Sequence, residues 1–443
     1  MVRYLARALP AQGWRPRVVA GSLGAPGEPG NAVTFFRGVD DLIPVPYDAA
    51  VAAPDPIMAS PPMHPSYEDR LGAPDRAFAR LGAAECEHLA REWTRILGAG
   101  ALDGAGLVHL HHLTPAHEAV ARLRPDLPVV SHIHGTELLM LDAIEAGAAW
   151  PHGEAWAERM RAWALRSRVL VASSAPSAAD AARLLALPRE RVEVVPNGVE
   201  LALFDGRRAA PAERARLWRR WLCEEPRGWS PARPDPGSVR YAPADLAPLL
   251  HPRATVVAFV GRFTAVKRAA LLVRAHARAR AGLDAPLPLV LLGGAAGEWE
   301  GEHPADAAAR SPWGHEVFLA GWRDHAELAR ALAACDLLAV PSVAERFGQV
   351  YVEAMAMRVP PIACDVAAPP TFIDADPASP DRCGWLVAPD DEEGLARALV
   401  AAARDPAERA LRGENGRRRA VAGFSWEVAA RRTAAVYAAA LSG

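Results

Sequence analysis

Short runs of apolar, often β-branched residues recur along this chain and alternate with Ala- and Arg-rich stretches whose apolar positions repeat with helical period. In the first half the runs are RPRVVAG, GLVHLHH, LPVVSHIHG, SRVLVASS and RVEVVPNG; in the second they are ATVVAFVG, LPLVLLGG, EVFLAG, ACDLLAVPS, VPPIACD and GWLVAP. Apolar strands separated by helical stretches are the pattern of βα units around parallel sheets covered on both faces. The pattern predicts two doubly wound α/β sheets, with the seam just after Val199. The stretch from Pro115 to Arg124 reads as a helix, and a final Ala-rich helix runs from about Trp426 to Leu441.

Two segments break the alternation. Between Phe204 and Thr255 there is no strand pattern, and Trp and Pro are frequent, so 206–253 reads as a connector or insertion. Its first part, PAERARLWRRWLCEE, places Leu217, Trp218, Trp221 and Leu222 on one helical face, as expected of a helix that covers a core. Pro54 to Asp75 is Pro-rich and reads as a long loop. The expected organisation is a first domain over 1–205, a second over 206–424, and a helix over 425–443 that packs back on the first.

At 443 residues the chain suits two domains, and with 51% hydrophobic and 23% charged residues it belongs among globular chains. A net charge of -2 supplies no general attraction to nucleic acid or anionic membrane, so an anionic ligand must be held by local groups. Five scattered cysteines without a CxxC pair suggest neither a disulfide framework nor a zinc module and fit a reducing compartment. Arg3 and Arg7 interrupt any signal-peptide core, and no apolar run has the length of a membrane span. The expectation is a cytoplasmic protein with no nucleic-acid partner and no transmembrane segment. Peripheral membrane contact and the oligomeric state stay open.

Two motifs carry chemistry. In PSVAERFGQVYVEAMAM, after the strand ACDLLAV, Glu345 and Glu353 flank Gly348, where a helix begins. A helix opening at the C-terminal edge of a parallel sheet presents free N–H groups and a positive dipole end where such sheets bind ligands. In VVAFVGRFTAVKRAALLVRA, Gly261 allows close backbone approach, Arg262 can grip a phosphate bidentately, and Lys267 adds a second cation. Two cations suit the departure of a diphosphate.

With these residues assembled, the chain resembles the retaining glycosyltransferases of family 4. Four blocks match in order, HIHGTE (132–137), VVPNGVELALF (194–204), VGRFTAVK (260–267) and ERFGQVYVEAMA (345–356), supported by GWLVAPDDEEGLARAL. The resemblance implies the GT-B fold, two Rossmann-like doubly wound parallel-sheet domains facing across a cleft. It implies transfer of a sugar from a nucleotide-diphosphate sugar, the co-substrate, to an unidentified acceptor with retention at the anomeric carbon, without a cofactor. By resemblance, Glu353 would hold the ribose hydroxyls and Glu345 would lie against the donor sugar. Arg262 and Lys267, beside Gly261, would bind the diphosphate. Backbone at Phe347, Gly348, Gln349 and Val350 would approach the phosphate or sugar, and His134 would face donor and acceptor from the first domain. Asn197-Gly198 would form a tight turn.

Other constellations compete with these. His109, His111, His112, His132 and His134 invite a metal reading because alternate strand residues share a face, but no carboxylate or cysteine accompanies them, and no metal site is expected. Asp374-Ala375-Asp376 is a DxD triplet in a Pro-rich stretch that reads as a solvated loop. No strand ends in GxGxxG, which disfavours a dinucleotide oxidoreductase. Three departures from the family stand out. The opening RYLARALPAQGWRPRVV resembles the family's first helix and second strand, so the first strand and Gly-rich loop are expected to be missing. Ala367-Ala368-Pro369-Pro370-Thr371 stands where Gly-Gly-x-Pro-Glu is usual, and Arg268 follows Lys267 where Gly is commoner. These departures motivate the alternative of a catalytically silent or truncated GT-B scaffold.

Overall fold

The computed structural model describes residues 1–69 and 76–442. Residues 70–75 of the Pro54–Asp75 stretch lie outside the described residues. The chain forms two units, Met1–Gly198 with Trp426–Gly443, and Val199–Ser425. The division therefore falls before 205. Val199 bridges to Ser425, and Phe204 is buried in the second core, so the segment between them belongs to the second unit.

In the first unit the strands are β1 (Arg17–Ser22), β2 (Asp41–Pro46), β3 (Val108–His111), β4 (Val129–His132), β5 (Val169–Ala172) and β6 (Val192–Val194), all in parallel pairings. They form two sheets instead of the single one expected, β1-β2 and β3-β4-β5-β6. No described strand lies between β1 and β3 to pair with both. The gap is a cleft of about 640 Å³ lined by Val19, Gly21, Trp93, Leu107, His109 and His111, among others. The sequence pattern shows no strand at β2, because Pro44 and Pro46 lack ladder donors; the strand survives at a sheet edge, where those donors are not needed. The helix Trp426–Ser442 closes this unit, stacking Trp426 on Tyr4 and setting Tyr437 edge-on to Trp14.

The second unit has one six-stranded parallel sheet in the order β12-β11-β10-β7-β8-β9. Its strands are β7 (Val257–Val260), β8 (Leu289–Leu292), β9 (Val317–Gly321), β10 (Leu337–Val340), β11 (Pro361–Cys364) and β12 (Trp385–Val387). The central strands are apolar throughout because helices cover both faces. The order reverses between β7 and β10, the switch point where open α/β sheets bind ligands at their C-terminal edge. The stretch 206–253 is built into this core. The helix Pro211–Arg219 runs into a π turn at Arg220–Glu224, and Trp218, Trp221 and Trp229 are fully buried. Among the described residues no helix is long and apolar enough to cross a membrane, and all five cysteines are buried free thiols.

Candidate functional site

The ends of β7 and β10 bring together the residues that the two motifs singled out. After β7, Gly261 donates its N–H to Leu292 at 3.0 Å, and the chain turns through Ala265–Lys267. The backbone N–H of Val343, beyond β10, donates to the Val266 carbonyl at 3.0 Å and ties the two loops. The Lys267 ammonium pairs with Oε1 of Glu345, whose residue is 8% exposed. Arg262 stands apart from this pair. Its guanidinium is half exposed and reaches Glu298 at 4.0 Å, so the two cations assigned to one diphosphate point to different carboxylates here.

Gly348 caps the helix Gln349–Ala356 with φ 86 and ψ 58, a left-handed conformation, and an added Cβ would sit 2.5 Å from the Tyr351 ring. Both facts require glycine. The first turn of this helix, with the backbone N–H groups of Gln349 and Val350, opens at the sheet edge, where the positive end of the helix dipole lies. The Phe347 side chain is buried against Phe372 and Phe424. Glu353 lies deeper on the helix, 4% exposed, with Oε1 2.9 Å from Nε2 of His325. Nothing in the sequence flagged His325, which comes from the start of the helix His325–Ala333.

Two departures from the family pattern acquire a physical reading. Arg268 has φ 53 and Ala367 has φ 58, both in the left-handed region where glycine is unstrained. Arg268 is held there by a fork of hydrogen bonds to Asp390, at 2.6 and 3.1 Å. The N–H of Ala368 donates to the Glu345 carbonyl at 3.1 Å, so the altered loop still braces Glu345. Asp374 is used internally: Oδ1 accepts the Asp376 N–H and Oδ2 the Ser379 hydroxyl.

The insertion supports the same edge. Trp229 donates its indole N–H to the Gly294 carbonyl at 3.2 Å and lies against Phe263 and His303. It thus buttresses the Gly261–Phe263 loop, a role its sequence position did not suggest.

His134, in the first unit, follows β4 and precedes the helix Thr136–Glu145. Its turn is organised by Glu137, fully buried, which accepts the backbone N–H groups of His134 and Gly135 at 3.2 and 3.1 Å and lies 2.6 Å from Nδ1 of His112. Burial raises the Glu137 pKa, but the hydrogen bond and charge of His112 outweigh it and the net shift is downward. Burial lowers His134 to about 3 and His109 to about 4, and carries His111 and His132 well below the ordinary imidazole value. Gly198 is needed for close packing, not for a turn: a Cβ there would lie 2.5 Å from the Trp426 ring.

Residues 1–203 match the family described as Glycosyltransferase Family 4, and residues 254–405 match Glycosyl transferases group 1. A D-inositol 3-phosphate glycosyltransferase of Kineococcus radiotolerans is 31% identical over 342 residues, covering 75% of this chain and 71% of the relative. D-inositol 3-phosphate glycosyltransferase 1 of Catenulispora acidiphila is 32% identical over 365 residues, 79% of this chain and 77% of the relative. Among solved structures, the sucrose-phosphate synthase of Thermosynechococcus elongatus superposes with TM-score 0.62 at 22% identity, covering 99% of this chain and 92% of that one. Anabaena HepE in complex with UDP-glucose superposes with TM-score 0.63 at 17% identity, covering 99% and 94%.

Proposed function

This chain belongs to glycosyltransferase family 4 and is a transferase of the GT-B type, and we propose that it moves a sugar from a nucleotide-diphosphate donor to an acceptor hydroxyl with retention at the anomeric carbon. The observation that carries the reading is the Lys267–Glu345 pair at the ends of β7 and β10, next to the Gly348-headed helix. The bond between the anomeric carbon and the diphosphate oxygen breaks, and negative charge develops on the leaving phosphate. Lys267 and the N–H groups of Gln349 and Val350 meet that charge, and Arg262 swings from Glu298 to join them. A unit-charge pair at about 4 Å contributes about 4 kcal/mol at an effective dielectric of 20, before desolvation. Side-chain cations therefore take the part that a metal plays elsewhere. The acceptor oxygen attacks from the face that the diphosphate leaves, and its proton passes to the departing phosphate oxygen. Glu345 lies against the donor sugar and Glu353, anchored at one oxygen by His325, holds the ribose diol through the other. His134, held neutral by burial, supplies a hydrogen-bonding nitrogen to the sugar.

The names of the relatives make inositol 3-phosphate the first acceptor to try, and the bound UDP-glucose of the HepE complex makes UDP-sugars the first donors. The test is a donor panel that monitors nucleotide-diphosphate release, with the product anomer read by NMR. Release from one donor, with the product in the donor's anomeric configuration, is expected. Lys267→Ala should lower kcat by about 10²–10³. Release from no donor would sink the reading and favour a silent scaffold, and an inverted anomer would remove retention.

A further inference from the structure

His109 and His111 are alternate residues of β3 and project to one face of the sheet; His132 of β4 stands opposite His111 in register and joins that face. One ring nitrogen from each lies within 4.8 Å of the other two. Each β3 ring is held at Nδ1, which leaves Nε2 as the nitrogen for a ligand. Nδ1 of His109 is 2.6 Å from the Tyr437 hydroxyl, and Nδ1 of His111 is 2.9 Å from Nε2 of His134. Among the described residues, Nε2 of His109 and both nitrogens of His132, which is 2% exposed, have no hydrogen-bond partner. An orphaned buried polar atom costs about 1–3 kcal/mol, and here three gather in one place.

We propose that His109, His111 and His132 form a binding site for a transition-metal dication of the zinc class. Imidazole donors without thiolate or carboxylate suit zinc, copper and nickel and disfavour magnesium and calcium. Two ligands from alternate positions of one strand and a third from its neighbour are fixed by the sheet itself. The contacts from Tyr437 and His134 supply the outer hydrogen bonds that orient metal-bound imidazoles. Zn–N bonds of about 2.0–2.1 Å place tetrahedral ligands about 3.3 Å apart, so the rings need only close inward by about 1 Å. His109 and His111 also line the cleft between β1 and β3. The ion would crosslink β3 to β4; the diphosphate chemistry uses other residues, in the second unit.

The test uses the full chain without a polyhistidine tag, stripped with a chelator and titrated with Zn²⁺ against a chromogenic competitor. One equivalent should bind, Co²⁺ in its place should give the intense visible bands of a tetrahedral site, and the melting temperature should rise. Tyr437→Phe should weaken Zn²⁺ binding by about tenfold, and His109→Gln and His111→Gln, which remove ligands themselves, each by about a hundredfold or more, at or beyond the top of the range for an outer partner. His315→Gln, at the surface turn before β9, is the control and should bind normally. Circular dichroism of each stripped variant establishes that it is folded. No equivalent bound by the unsubstituted chain, or binding unchanged in both folded β3 variants, overturns the proposal. The readout is metal binding, so it stands or falls apart from donor turnover.

Discussion

Gly348 and Ala367 sit on opposite sides of the same conformational rule. Both have positive φ, but only Gly348 meets it without strain. Gly348→Ala adds the left-handed penalty of about 1–2 kcal/mol and drives a methyl into the Tyr351 ring. The variant should lose about 2–4 kcal/mol in urea unfolding, and its donor KM should rise because the helix start moves. Ala367→Gly removes a penalty already present. It should gain about 0.5–1 kcal/mol in the same measurement, and a loss there would mean the Ala367 methyl makes packing contacts worth more than its strain. Glu353→Ala is expected to raise donor KM more than it lowers kcat, because a ribose contact is equally present in the ground and transition states. Unchanged KM in steady-state assays would remove the ribose assignment. Glu345, Gly348 and Glu353 stood out in the sequence because a helix opening at Gly after a parallel strand marks the ligand edge of such a sheet, although two Glu at that spacing are common on solvated helices, and the roles given to them rest on the family resemblance. His325 did not, since a histidine opening a helix far from the motif reads as solvated until the fold brings it to Glu353.

Among the elements, strands were the easiest to read and the insertion the hardest. Buried parallel strands announce themselves by unbroken apolar runs, and each such run is a strand here. β2 escaped because DLIPVP violates the donor pattern of an interior strand, a violation that an edge tolerates. The Trp-bearing stretch after Phe204 showed its helical apolar face, but where it packs depends on contacts far apart in sequence. Trp229 reaches Gly294, 65 positions away. Trp229→Ala should cost about 3–5 kcal/mol in chemical denaturation and weaken donor binding by loosening the loop that carries Arg262. Trp229→Phe keeps an aromatic ring in the pocket but loses the indole N–H and part of the buried volume, so it should cost less, about 1–2 kcal/mol. Equal losses from the two would assign the effect to the hydrogen bond and not to the buttress.

At the scale of the molecule, each unit carries a buried histidine with its titration displaced far from solution behaviour. His117 in the first unit and His276 in the second both stand at about 4, chiefly through burial. Their folded values lie below the ordinary 6.5, so between those limits the unfolded chain binds more protons than the folded one. Stability should be full above about pH 6.5 and drain as the pH falls toward about 4, by up to about 3 kcal/mol per group. Calorimetry across that range tests it: His276→Gln should flatten the pH dependence of the second unit's transition, and an unflattened profile would assign the loss to other groups.

The helix that completes the first unit follows the whole of the second unit along the chain. Val199–Ser425 is contiguous and has its whole sheet and core in hand before Trp426 is translated. The first unit must wait on the ribosome with the seat of Trp426 and Tyr437 open, its Tyr4, Trp14 and His109 contacts unmade, until the helix Trp426–Ser442 emerges. Synthesis therefore inverts the usual N-terminal-first order of domain maturation. A nascent chain stalled just before Trp426 should yield a protease-resistant second unit and a first unit still open to cleavage.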